Sequence, residues 1–301
     1  MKHRLVARAA IAAATAAMLT AVGAVHAPAS AQGLSFGGAN NDLPVEILAD
    51  EGVEWQQEKF LFVARGNAKA IRGEVTVYGD ELRAYYRELP EGGTEIWRLD
   101  AIGNAKITSP DETATGDRAV YNVDQQILVL TGSKVRFETG PDVLIADRQL
   151  EYWELKKMAV ARGNALAVRQ DKKLWGDVLA AYFRPDKNGD DKVYRVDAFD
   201  EVRIRTATDT ATGDRGVYNV ETGIATLTGS VTLTRGRNKL RGCRSETNLN
   251  TGISNLYSCP KGSGSGRVSG VLQPSARNKK KAQPEGQPGA GTKTEPKKGA
   301  R

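Results

Sequence analysis

The sequence predicts an all-β fold, an elongated jelly-roll-like stack of tandem modules about 30 residues long. Three observations predict it. A long stretch of sequence returns 97 residues later with no insertion. Glycines recur on a finer beat inside that stretch. Short runs of alternating apolar and polar residues, rich in β-branched and aromatic types, fill the intervals, and no 3.6-residue pattern persists past the N-terminal segment.

That segment is read as a targeting signal. Lys2, Arg4 and Arg8 precede an apolar, Ala-rich run from Ala9 to Val25, and Ala29-Ser30-Ala31 supplies small residues before Gln32. A retained anchor needs roughly 20 apolar residues; this run is shorter and soon meets Pro28. Residues 1–31 are therefore expected to be a cleaved signal peptide and 32–42 a flexible linker. The mature chain is expected outside the cytoplasm.

The repeat organises the middle of the chain. Ala64-Arg65-Gly66-Asn67-Ala68 returns as Ala161-Arg162-Gly163-Asn164-Ala165, and Gly79-Asp80 as Gly176-Asp177. Ala114-Thr115-Gly116-Asp117-Arg118 returns as Ala211-Thr212-Gly213-Asp214-Arg215, and Leu130-Thr131-Gly132-Ser133 as Leu227-Thr228-Gly229-Ser230. The finer beat runs through Gly66, Gly103, Gly132, Gly163, Asp200 and Gly229, in steps of 37, 29, 31, 37 and 29. The long steps hold turn-rich insertions at Leu89–Gly93 and Pro185–Asp190.

These glycines are read as turns between strands, where left-handed backbone angles are needed. Asp80, Asp117, Asp177 and Asp214 are read as turn aspartates bonding their own backbone. The segments from Val123 to Ile127 and from Val220 to Ile224 read as hairpin turns. Residues two and four past each glycine are expected to face the interior: Ala68 and Ala70, Ala105 and Ile107, Ala165 and Ala167, Val202 and Ile204, Val231 and Leu233. In the third module Lys134 and Arg136 fall there, so a bulge or one-residue shift is expected to turn Val135 and Phe137 inward. The many small interior residues either leave room between the sheets or let the two sheets approach closely.

The C-terminal segment 261–301 is Gly, Ser, Pro, Gln and Lys with few large apolar residues, and is expected to be a disordered basic tail. The tail carries +8 and the leader +3, so the overall +7 leaves −4 for residues 32–260. A mildly acidic folded part argues against nucleic acid as a partner. Cys243 and Cys259 close this region. An oxidising compartment favours a disulfide between them, and no histidine or third cysteine stands near to complete a metal site.

Chemistry is sparse. The two histidines, His3 and His26, lie in the leader, so the mature chain lacks the general base of a Ser-His-Asp or Cys-His centre and the usual zinc ligands. No phosphate-binding or dinucleotide motif occurs in context. No catalytic residue, metal site or cofactor is assigned. A carboxylate-only glycosidase needs just two acids, and nothing singles out such a pair. Asp186 to Asp191 begins like a calcium loop, but its glycine is misplaced and the closing glutamate is missing, so an acidic hairpin loop is expected. Arg65, Arg118, Arg162 and Arg215, beside the turns, are read as solvated charges rather than lipid-phosphate contacts.

Taken together, the leader, Pro44-Val45-Glu46-Ile47-Leu48-Ala49-Asp50, the Gly66-Asn67-Ala68 turn and Leu130-Thr131-Gly132-Ser133 resemble the OstA-like family of periplasmic lipopolysaccharide-transport proteins, over about residues 43–258. The resemblance implies a slightly twisted, V-shaped β-jelly roll over 43–260. It implies a periplasmic, non-enzymatic bridge carrying lipopolysaccharide from inner to outer membrane, with acyl chains in an apolar interior. Its implied partners are the lipid A acyl chains of lipopolysaccharide, β-jelly-roll proteins at the inner and outer membranes, and further copies joined head to tail. Position by position it implies lipid contacts at Val45 and Ile47 on the first strand, at Ile107, and at Tyr121 and Val123; the repeat adds Ile204, Tyr218 and Val220. A non-lipid envelope scaffold and a carbohydrate-active β-solenoid enzyme are the competing functional classes.

Overall fold

The computed structural model describes residues 43–187, 191–260 and 266–273. The expected signal peptide and linker, most of the basic tail, and Asn188 to Asp190 of the calcium-like loop lie outside them. The described chain forms β1 (Glu46–Leu48), β2 (Gly52–Gln56), a 3-10 turn (Gln57–Lys59), β3 (Leu61–Arg72), β4 (Val75–Glu88), β5 (Thr94–Thr108), β6 (Glu112–Asn122), β7 (Ile127–Thr131), β8 (Val135–Thr139) and β9 (Asp142–Ala146). It continues with β10 (Gln149–Trp153), β11 (Met158–Arg169), β12 (Lys172–Pro185), β13 (Asp191–Arg205), β14 (Asp209–Asn219), β15 (Ile224–Arg235), β16 (Asn238–Asn248), β17 (Ile253–Tyr257) and β18 (Ser269–Val271). Every ladder is antiparallel, and each strand pairs chiefly with its neighbours in the chain.

The long strands are bent. The β3–β4 register breaks between Arg65 and Ala68, the β4–β5 register between Tyr78 and Glu81, and the β5–β6 register between Ile102 and Ala105. The same break recurs 97 residues on, between Arg162 and Ala165 and between Trp175 and Val178. Each break is a corner where a strand leaves one sheet and enters the other. One module therefore contributes one hairpin to each sheet. The first sheet holds β2, β7, β10, β17 and the halves of the long strands beside them; the second holds β1, β8, β9, β18 and the other halves. Two facing sheets joined along a line of corners make the β-jelly roll.

This corrects the reading of the glycines. Gly66, Gly103, Gly163 and Gly229 sit within β3, β5, β11 and β15, not in turns between strands. Gly66 and Gly103 have φ of 78° and 73°, followed by Asn67 and Asn104 at 42° and 48°; two successive left-handed residues swing the strand through the corner. A sequence pattern does not separate such a corner from a hairpin turn, because alternation resumes on both sides of either. The hairpin turns expected after Val123 and Val220 do join β6 to β7 and β14 to β15.

The aspartates are corrected in the same way. They do not bond their own backbone; they reach the corner of an adjacent strand. Asn104 donates its side-chain amide to both Asp80 oxygens at 3.1 and 3.0 Å. The Ser133 N–H donates to Asp117 at 3.0 Å, the Asn164 N–H to Asp177 at 3.3 Å and the Ser230 N–H to Asp214 at 3.3 Å. Each corner thus receives its acceptor from 13 to 24 residues away, beyond the reach of local pattern reading.

Interior positions follow the two-residue rule. Ala68, Ala105, Ala165, Val202 and Val231 are at most 1 % exposed, Ala70, Ile107 and Ala167 are buried, and Ile204 and Leu233 pack against the core. The third module shifts by one residue, and Val135 and Phe137 are buried. Ala68, Ala105 and Ala165 lie beside the corners, where a small side chain lets the two sheets approach closely, the second of the two alternatives. At mid-length Leu130, Phe137, Leu144, Leu150 and Tyr152 are all buried in one continuous cluster. Strand β18 falls inside the segment expected to be unstructured: Ser269 to Val271 pair with Lys239 to Arg241 and so cover part of the last edge.

Candidate functional site

The chemistry-bearing feature is apolar. Near the N-terminal end the two sheets leave a narrow cleft of about 50 Å³. Val45, Ile47, Val77 and Ile107 line it from the second sheet, and Phe62, Leu82, Leu99, Tyr121 and Leu128 from the first. Inward alternation on every strand puts apolar side chains there. A second, smaller cleft of about 20 Å³ lies in the second repeat, lined by Leu174, Val196, Ile204, Tyr218 and Leu227 among others. The packed cluster at mid-length lies between the two.

The structure brings Val45, Ile47, Ile107 and Tyr121 together on the first cleft, and Ile204 and Tyr218 on the second. Val123 and Val220 are partly buried against the core. The Tyr121 hydroxyl donates to Glu154 at 3.1 Å, which anchors its ring. Burial holds the Tyr218 hydroxyl neutral, pushing its pKa up to about 12. Phe62, Leu82, Leu99 and Leu128, which sequence reading did not single out, also line the first cleft; their inward parity on β3 to β7 was the available signal.

The outer face of the first sheet is a charged layer. Arg65 bonds Glu54 at 2.7 Å and Glu81 at 3.0 Å, Arg162 bonds Glu151 at 2.6 Å, and Arg118 pairs with Asp100. Arg215 stacks over Phe199 at 5.5 Å. These four arginines lie on the wall away from the clefts, with their charge met by protein groups. Among the described residues no cluster of three or more His, Cys, Asp or Glu is arranged for a metal ion, and no helix is long and apolar enough to cross a membrane.

Both ends of the stack are open edges. β1 and β2 pair with β3, and β17 and β18 with β16, leaving their outer sides without a strand among the described residues. Apolar residues stand exposed on both edges: Leu48, Val53 and Trp55 on the first, Ile253, Tyr257 and Val271 on the last. Cys243 and Cys259 form a disulfide, with Cα atoms 4.8 Å apart, that ties β16 to the segment after β17.

The chain is similar in sequence to known proteins. A curated relative, an uncharacterized protein of Rhizobium meliloti (strain 1021), is 26 % identical over 118 residues, covering 38 % of this chain and 61 % of the relative. This chain thus spans 61 % of that relative's length. Among solved structures, LptH, the LptA-homologous periplasmic component of the conserved lipopolysaccharide transport device from Pseudomonas aeruginosa, is 13 % identical. The match covers 78 % of this chain and 99 % of LptH, with a TM-score of 0.20. The sequence pattern of the family described as LptA/(LptD N-terminal domain) LPS transport protein matches residues 46–152 and again residues 144–253, one match for each copy of the internal repeat. Those two matches cover most of the folded chain, and by them this protein belongs to the LptA/(LptD N-terminal domain) LPS transport protein family.

Proposed function

We propose that this protein is a periplasmic bridge component that holds lipopolysaccharide by its acyl chains, between the two sheets, and joins β-jelly-roll partners at its open edges. The observation that carries the reading is the apolar cleft lined from both sheets. Hydrocarbon placed there leaves water, worth about 0.8 kcal/mol per methylene buried. The sugars stay outside, where the wall is polar and charged. Open edge strands accept a partner strand by backbone hydrogen bonding. The bridge needs no covalent chemistry in this chain, and the energy for directional transfer comes from its partners.

The filled middle constrains how lipid moves. A chain passing from one cleft to the other has to part the side chains around Phe137 and Tyr152. The same packed middle favours a second reading, a strut that joins partners and carries no lipid.

Photo-crosslinking separates the two. A photoreactive residue at Ile107 or Tyr218 is expected to label with lipopolysaccharide, while one at the outward Arg98 is not. Adducts confined to outward positions, with an assembled bridge still forming, would leave the strut reading. Native mass spectrometry of the purified chain is expected to show a co-purified acylated lipid.

A further inference from the structure

One polar pair inside the second sheet has no partner of its own. Ser109 and Glu112 flank the turn between β5 and β6, each bonding the other's backbone, at 3.0 and 3.4 Å. By strand alternation they follow Ile107 and precede Ala114 in the same rows, one step towards the mouth of the jelly roll. Ile107 lines the first cleft. Glu112 is 2 % exposed, and neither of its carboxyl oxygens, nor the Ser109 hydroxyl, has a hydrogen-bond partner. Buried polar groups left unbonded cost about 1–3 kcal/mol each, so a native structure rarely keeps two together without something to bond them.

The surroundings define what that partner is. Asp111 stands beside Glu112 on the turn, and Thr139 is its cross-strand neighbour, with Asp142 beyond and paired to Arg169 at 3.4 Å. From the first sheet comes Tyr152, whose hydroxyl feels Glu112 together with Glu154, Asp191 and Tyr121. Lys157, the basic group on that side, is held by Asp191. Burial, and then Asp111, push the Glu112 carboxyl up to about 9. A carboxyl kept neutral in this way has a hydrogen bond to offer. Acidic neighbours disfavour a phosphate or carboxylate at this place. A neutral acceptor fits.

We infer that Ser109 and Glu112, next to Ile107 on the mouth side of the first cleft, form a polar subsite for the ester or amide carbonyl heading an acyl chain. This rests on the cleft holding hydrocarbon, which then runs along Ile107, Tyr121 and Leu128. The subsite fixes how far an acyl chain slides in, because its carbonyl stops where the two donors are.

The test uses the full chain and two fluorescent probes: methyl parinarate, an acyl ester, and diphenylhexatriene, a hydrocarbon. Wild type is expected to bind both. Glu112→Leu, which replaces an unbonded buried acid with an apolar side chain, is expected to be at least as thermally stable as wild type and to keep its hydrocarbon affinity, while losing about tenfold in ester affinity. Glu112→Gln, which retains a neutral donor, is expected to bind the ester within about threefold of wild type. Equal ester binding by Glu112→Leu and wild type overturns the subsite and leaves ordered water only as the partner of Glu112. Loss of ester binding in Glu112→Gln as well overturns the donor role. Failure of wild type to bind either probe overturns the cleft reading instead.

Discussion

Cys243 and Cys259 are bonded at the last corner of the stack, in the register that Asp80 and Asn104 occupy at an earlier one. Glu81 pairs with Ile102 just before the Asp80–Asn104 corner, and Arg244 pairs with Tyr257 just before the cysteines. A covalent bond thus replaces the hydrogen bond of an inner corner. The inner corners are held by strands on both sides. β17 has a neighbour on one side only and is almost wholly exposed, so it lacks the packing that keeps inner strands in register.

Removing that bond is expected to loosen the last edge first. With the cysteines separated by 16 positions in the chain, Cys243→Ser with Cys259→Ser should cost about 3 kcal/mol. Hydrogen exchange should rise at β17 before it rises at β11. Cys243→Asp with Cys259→Asn, which copies the inner corner, should recover about 1 kcal/mol. Equal exchange at β17 with and without the disulfide would mean that the bond does not hold this strand.

Asp100 and Asp197 lie 97 residues apart and play one part twice. Each is a buried acid on the outer face of the first sheet, bonded twice by the arginine two residues before it: Arg98 at 2.6 and 2.9 Å, Arg195 at 2.6 and 2.7 Å. The guanidinium of each covers a tyrosine, Tyr85 at 5.4 Å and Tyr182 at 5.7 Å. Asp100→Ala and Asp197→Ala are each expected to cost about 2 kcal/mol in urea denaturation, less than a wholly buried pair because the arginines are partly solvated. A difference above about 1 kcal/mol would show that the two repeats are not energetically equivalent.

Glu112 makes stability depend on pH in an unusual direction. Its folded pKa, about 9, lies above the ordinary 4.5, so between those values the folded state binds the extra proton. Stability falls as pH rises through that window, by at most about 1.4 kcal/mol per pH unit from this group. Glu112→Gln removes the term. Melting curves from pH 5 to pH 8 are expected to show wild type losing stability relative to the variant as pH rises. Parallel curves would place an ionised carboxylate at this position.

The exposed edges are expected to mediate association. Leu48→Lys on the first edge and Ile253→Lys on the last change residues 43 % and 61 % exposed, so folding should be unaffected. Each charge opposes edge-to-edge pairing. Sedimentation of the full chain should show concentration-dependent self-association weakened at least about tenfold, equal to 1.4 kcal/mol, by either change. A wild-type chain that stays monomeric at high concentration would exclude its own edges as mutual partners.

Much of the fold was legible in the chain itself. Alternation, the 97-residue return and the glycine beat established a tandem all-β architecture and the inward rows, down to the one-residue shift that buries Val135 and Phe137. Local pattern reading stopped at the corners. Gly103 looks like a turn residue whether the chain reverses or bends, and the partner of Asp80 lies 24 residues away. The candidate site was half legible. Ile107 and Tyr121 were found by motif, whereas Phe62 and Leu99 carry no motif and reach the cleft by strand parity alone.

What the sequence determined by itself is which side chains face inward, because a strand's period of two is a property of the backbone. What only the tertiary structure decided is where that interior is open and where it is filled. Sheet separation depends on the summed volumes of side chains from strands far apart in the chain. Phe137 and Tyr152 help to fill the middle, while Val45 and Leu99 share a cleft.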